Sequence, residues 1–226
     1  MFFLLPAELK ELVISYLSRK EYKATVPCKD LLLCKSYLSL ENYCKLDVLS
    51  LILLSDQEKE GLFIASCRYN NLRLVKWLLK QGVDPSDCSN YAIREASENG
   101  YLEIVEILLQ DPRVDPSDCN NYAIGLASEN GHKEVVEILL RDSRVDPSDD
   151  DNYAIAFASM NGHKKVVELL LKDNRVDPSD DDNYAIALAS VNGNKDIVEI
   201  LLRDHRVDPS AIIKVGSSPI NQTRLA

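Results

Sequence analysis

Two carboxylate runs, Asp149-Asp150-Asp151 and Asp180-Asp181-Asp182, are the first candidates for chemistry in this 226-residue chain, because clustered carboxylates supply the oxygen ligands of calcium. Neither run has the D-x-D-x-D-G-x(5)-E order of a calcium loop, and Asp150 is matched by Cys88 and Cys119 in earlier copies of the same stretch. Solvated turns along one edge are the plainer account. His132 and His163 also share a position, filled by Tyr101 and Asn194 in other copies. A metal-binding or catalytic histidine needs a fixed supporting group, and a position that accepts Tyr and Asn reads as surface beside a helix start. Asp111, Asp142, Asp173 and Asp204 recur in every copy, unlike a catalytic acid. The six cysteines have irregular spacing and no C-x-x-C pair, which argues against zinc. Equivalent residues of stacked units lie about 10 Å apart, too far for the roughly 7 Å limit of a disulfide. Cys88 and Cys119 are therefore expected to be free thiols in a reducing compartment. With no nucleophile beside a base, no Walker loop and no G-x-G-x-x-G, the sequence predicts neither an enzyme nor a cofactor or metal site.

What positions these residues is a periodic turn. Asp-Pro pairs stand at 84, 115, 146, 177 and 208, each 31 residues after the last, and such a period marks a repeat array. The unit reads Y-A-I-x-x-A-S-x-N-G-x-x-x-[IV]-V-E-[IL]-L-L from Tyr91, Tyr122, Tyr153 and Tyr184, after a diverged copy over Leu62 to Leu79. The Asn-Gly pairs at 99, 130, 161 and 192 split each unit into two helices, since glycine readily takes the positive φ that ends a helix. In one copy the first helix is predicted at about Tyr153 to Met160, small on one side at Ala154, Ala158 and Ser159. The second, about Lys164 to Lys172, is apolar at Val166, Val167, Leu169, Leu170 and Leu171, as suits a helix packed between two equivalents. Pro at the second place of the V-D-P turn predicts type I geometry, and Asn152 is placed to N-cap the next helix.

This arrangement resembles the ankyrin repeat, most strongly in A-S-E-N-G-H-K-E-V-V-E-I-L-L from Ala127 to Leu140, over about Leu62 to Ser210. The resemblance implies an all-α ankyrin-repeat solenoid. Two departures stand out: the period is 31 rather than the family's usual 33, and Y-A-I-x replaces T-P-L-H, so the Thr and His bonds that brace the family's turn are missing. Short, near-identical units of this kind resemble those in ankyrin proteins of large DNA viruses, which would place the chain in the host cytoplasm.

Residues 1–60 do not follow the repeat and are assigned to an N-terminal helical cap, 61–210 to the array, and 211–226 to a tail expected to be partly disordered. Leu5, Pro6, Glu8, Leu9, Ile14, Tyr16 and Leu17 form L-P-x-E-L-x(4)-I-x-Y-L, which resembles the first helix of an F-box. In that family the helix docks on a Skp-type adaptor of cullin-RING ubiquitin ligases, so the resemblance implies a substrate receptor. The alternative stays open: Leu46 to Leu53 looks like the second helix of a degenerate repeat, which would make the segment a cap and nothing more. The apolar start is cut short by Pro6 and Glu8 and lacks a basic leader, so no signal peptide is expected. The longest apolar run, 48–54, falls well short of the roughly 20 residues of a membrane helix.

The net charge is −10, and residues 61–226 carry 18 basic against 27 acidic side chains. Such a surface repels phosphate, speaks against nucleic acid and favours a basic protein partner of a monomeric chain. Positions that vary between copies are free to serve that partner: Arg94, with Gly125, Ala156 and Ala187; Glu98, with Glu129, Met160 and Val191; and the turn residues Asp150, Asp151, Asp181 and Asp182. The ankyrin resemblance implies that turns and first helices face the partner, giving an acidic edge beside an apolar spot at Met160 and Val191. Ordinary drift between duplicated units accounts for the same variation.

Overall fold

A computed structural model describes residues 55–214, and all regular structure among them is helical. The F-box-like pattern, the cap up to residue 54 and the tail beyond residue 214 lie outside the described residues. Five helix pairs succeed one another: α1 (Asp56–Arg68) and α2 (Leu72–Lys80), α3 (Asp87–Glu98) and α4 (Leu102–Leu109), α5 (Asp118–Glu129) and α6 (Lys133–Leu140), α7 (Asp149–Met160) and α8 (Lys164–Leu170), α9 (Asp180–Val191) and α10 (Lys195–Leu201). A short α11 (Ala211–Lys214) comes last, its Ala211 buried against the fifth repeat. Ser55 and Glu58 form a capping box that starts α1 at Asp56.

One hydrophobic core runs through all five repeats, and it is itself periodic. First helices contribute Ala-Ile-x-x-Ala sets such as Ala123, Ile124, Ala127 and Ala154, Ile155, Ala158; second helices contribute triplets such as Val135, Val136, Leu139 and Val166, Val167, Leu170. Val114, Val145 and Val176, from the V-D-P turns, close each layer. Alanines let the first helices pack on one another more extensively than the second helices do. Leu169 and Leu171, expected on the buried face, are only partly buried on its flank.

The Asp-Pro turns are type I as predicted. Ser148 holds φ −92° and ψ −7° at the third place of its turn, and the Asp149 N–H donates to the Asp146 carbonyl at 3.5 Å. Asp146 Oδ1 also accepts from the N–H and Oγ of Ser148, at 3.0 and 2.7 Å. The residues just past each turn depart from the sequence reading. Three consecutive residues take left-handed conformation in every later copy: Cys88-Ser89-Asn90, Cys119-Asn120-Asn121, Asp150-Asp151-Asn152 and Asp181-Asp182-Asn183. Side chains other than Asn and Asp lose about 1–2 kcal/mol each there, which is a local reason for the acidic runs.

Asn152 is therefore not an N-cap. At φ 56° its side chain turns to the next repeat, where Oδ1 accepts from the Asp177 N–H at 2.9 Å and Nδ2 donates to Asp180 Oδ2 at 2.7 Å. Asn90 and Asn121 make the same pair of bonds to Asp115 and Asp118, and to Asp146 and Asp149. This clamp stands where the Thr and His bonds were missed. Asn183 makes only the first bond, to Asp208, because Ala211 occupies the place of the receiving carboxylate.

Candidate interaction face

The turns and first helices carry most of the variable positions, and these differ in how far they are exposed and in what they touch. Arg94 is engaged with its own repeat. Its guanidinium carbon lies 5.3 Å from the centroid of the Tyr91 ring, while Nη2 and Nε donate to the carbonyls of Cys88 and Ser89 at 3.1 and 3.2 Å. Arg68, from α1, pairs with Glu95 at 2.6 and 3.0 Å and also bonds the Tyr91 hydroxyl. Glu129 accepts a hydrogen bond from Tyr153 Oη at 2.7 Å. Asp150, Asp151, Asp181 and Asp182 are exposed, Val191 is 51 % exposed, Met160 is half-buried and Glu98 is exposed.

Negative potential accumulates here. Although Glu98 is exposed as a residue, partial desolvation of its carboxyl, reinforced by the charge of Glu95, raises it above its ordinary range. Burial and then the charge of Glu129 raise the Tyr122 phenol; burial, donation to Glu129 and its charge hold the Tyr153 phenol far above the usual tyrosine range. An approaching cation would relieve the like-charge part of these shifts.

Between the fourth and fifth repeats this face opens into a cavity of about 280 Å³, lined by Asp150, Asp151 and Asp181 and by Tyr153, Phe157 and Tyr184. Tyr153 and Phe157 are stacked, their centroids 4.0 Å apart at 21°. The equivalent opening between the third and fourth repeats is only about 10 Å³. There the Tyr153 ring lies over Gly125, where a Cβ would meet its Cδ1 at 3.0 Å. The aromatic wall was hidden in the sequence, because the tyrosine recurs in the four later copies and passes for packing. The signal was the neighbouring column, where Arg94 gives way to Gly125 and then Ala156.

The other candidates for chemistry have structural work. Asp111, Asp142, Asp173 and Asp204 each hold the arginine two residues on, and Arg144, Arg175 and Arg206 reach back to the carbonyls of Val114, Val145 and Val176 at 2.6 to 3.0 Å. Those arginines, by hydrogen bonds first, hold the four carboxyls below the ordinary range, Asp204 at about 2. His132 is not simple surface: its Nε2 lies 2.9 Å from the Glu98 carbonyl of the preceding repeat. Asn194, in the same column, donates to the carbonyls of Ser159 and Met160, both at 2.8 Å. Cys119 is free as expected and so is Cys67, whose thiol burial pushes up strongly. Cys88 corrects the expectation: it is disulfide-bonded. The distance between stacked units limits only pairs within one column of the repeat, such as Cys88 with Cys119.

Among the described residues no group of three or more His, Cys, Asp or Glu side chains could hold a metal ion, and no helix is long and apolar enough to cross a membrane. Comparison with known families gives a match to a model described as ankyrin repeats (3 copies), over residues 34–120, 62–151 and 124–212. The first matched stretch begins inside the segment read from sequence as a cap. No curated protein matches the chain.

Proposed function

Since the chain belongs to the ankyrin-repeat family, a family of protein-interaction scaffolds, we propose that it binds a basic protein partner through its turns and first helices, chiefly in the fourth and fifth repeats. The observation that carries this reading is the cavity edged by exposed aspartates, with half-buried Met160 and exposed Val191 at the far ends of the two first helices that line it. Interfaces combine such an apolar patch with a charged rim that steers the partner. The test is affinity capture on the full chain against the double variant Met160→Glu with Val191→Glu. The expected result is loss of the captured partner at an unchanged melting temperature, with capture by the parent chain weakening as salt rises. Equal capture by a folded double variant would sink this reading.

A second reading concerns the L-P-x-E-L-x(4)-I-x-Y-L pattern of residues 5–17, which supports docking on a Skp-type adaptor and so a role as substrate receptor. Purified adaptor, offered to the full chain and to a Leu9→Asp, Ile14→Asp variant, tests it. Adaptor retained by the parent alone supports docking. No retention by either, together with a lower melting temperature in the variant, identifies residues 1–60 as a cap only.

A further inference from the structure

The array contains a guide to what its open cavity takes. Shifting the second repeat by two periods carries Tyr91 onto Tyr153, Cys88 and Ser89 onto Asp150 and Asp151, and Arg94 onto Ala156. The turn backbone is nearly the same in the two copies, with φ of 53°, 57° and 54° against 54°, 54° and 56°. In the second repeat the Arg94 guanidinium lies over the tyrosine and takes the turn carbonyls as acceptors. In the fourth repeat the same ring and turn recur without that guanidinium. Phe157 stacks on one face of that ring and joins the cavity wall, and two carboxylates replace the Cys88 and Ser89 side chains. No ion pair engages Asp150 or Asp151 among the described residues. In the third repeat the corresponding space is taken by Tyr153 over Gly125, so the fourth is the copy in which room remains.

We propose that the cavity beside Ala156 receives an arginine side chain of the protein partner, which supplies in trans the guanidinium that Arg94 supplies in cis two repeats earlier. This rests on the reading of the face as a site for a basic partner, and narrows it to one anchor residue. Guanidinium suits the site better than ammonium: it is planar, stacks on aromatic rings and presents paired donors to a carboxylate. A volume of about 280 Å³ lies just below the roughly 300–1,000 Å³ range of small-molecule sites, which fits one long side chain better than a cofactor.

The probe is the blocked tripeptide acetyl-Gly-Arg-Gly-amide, with its lysine and citrulline counterparts, titrated into the ¹⁵N-labelled full chain and followed by NMR. The expected result is saturable shifts at Asp150, Asp151, Tyr153 and Tyr184, with arginine at least about ten-fold tighter than citrulline and several-fold tighter than lysine. Asp150→Asn with Asp151→Asn keeps residues that tolerate left-handed backbone and should weaken the arginine peptide about five-fold or more. Ala156→Arg, which installs the chain's own guanidinium, should abolish binding. Equal affinity for arginine and citrulline, shifts centred elsewhere, or no effect of the folded Asn pair would overturn the proposal. If partner capture is lost in Met160→Glu, Val191→Glu while the arginine peptide fails to bind, the anchor is wrong and the face stands. If the peptide binds and that capture is unchanged, the anchor stands and the face is wrong.

Discussion

Removing the side chain of Asn152 tests the account of what holds one repeat to the next. Asn152→Ala deletes an acceptor, which leaves the Asp177 N–H without its partner, and a donor 2.7 Å from the Asp180 carboxylate. An orphaned donor costs about 1–3 kcal/mol, and a hydrogen bond to a charged group contributes about 1.5–3 kcal/mol. Alanine at φ 56° adds about 1 kcal/mol. Because such contributions do not sum fully, the expected loss is about 3–4 kcal/mol. Asn183→Ala is the control. The same backbone penalty applies, but one bond is lost rather than two and Asn183 is less buried, so about 1.5–2 kcal/mol is expected. Equilibrium urea unfolding at pH 7, followed by far-ultraviolet circular dichroism, reads both, with an unchanged slope confirming that the transitions are comparable. Asn152→Asp adds a charge test: two carboxylates then face each other, so this variant should be destabilised at pH 7 and recover relative to the parent as pH falls through about 4. If Asn152→Ala and Asn183→Ala fall within about 0.5 kcal/mol of each other, or Asn152→Asp is neutral at pH 7, the clamp does not join the repeats as described.

Three further outcomes are expected. Gly131 sits at φ 78° and a Cβ there would meet His163 Nδ1 at 2.5 Å, whereas Gly193 sits at φ 74° with open space. Gly193→Ala should then cost only the left-handed penalty of about 1 kcal/mol, and Gly131→Ala measurably more, by thermal unfolding. The hydroxyls of Ser97, Ser128 and Ser159 are fully buried without a partner among the described residues, so Ser128→Ala should be neutral or raise stability by up to about 1 kcal/mol, whereas Ser66→Ala, which loses a 2.7 Å bond to the Phe63 carbonyl, should lower it. Asp111, Asp142, Asp173 and Asp204 have folded pKa values depressed below the ordinary 3.8, Asp204 to about 2. Their contribution is present above that ordinary value and is lost as pH falls toward 2. The melting temperature should drop over that window, less steeply in Asp142→Asn; equal slopes would refute the assignment.

Sequence reading went furthest where the determinant was local. The Asn-Gly pairs ended helices as glycine predicts, and Val-Asp-Pro gave its turn. It went wrong at Asn152, where the local rule for an N-cap competed with partners 25 and 28 residues away that no window of sequence contains. The left-handed triplets were hidden because Cys88-Ser89 carries no such preference, while Asp150-Asp151 has another ready explanation in solvation. Asp142 and Arg144 stand two residues apart, and the pair recurs in the four later copies, yet the arginine's second duty, to a carbonyl of the preceding repeat, depends on stacking. The cavity at Ala156 needed three dimensions to show that an alanine could matter by what it leaves empty.

The clamp also bears on how such a chain changes length over generations. Each asparagine reaches residues 25 and 28 positions ahead, and the types it meets recur every 31 residues. Excising residues 122–152 would join Asn121 to Tyr153 and leave it facing Asp177 and Asp180, the same chemistry it meets in Asp146 and Asp149. Whole units can therefore be gained or lost between the first and last repeats without orphaning a single one of these bonds. A cut of any other size breaks the register at once, so duplication and deletion are channelled into steps of one repeat, and the chain's reach along a partner becomes a heritable, digital quantity.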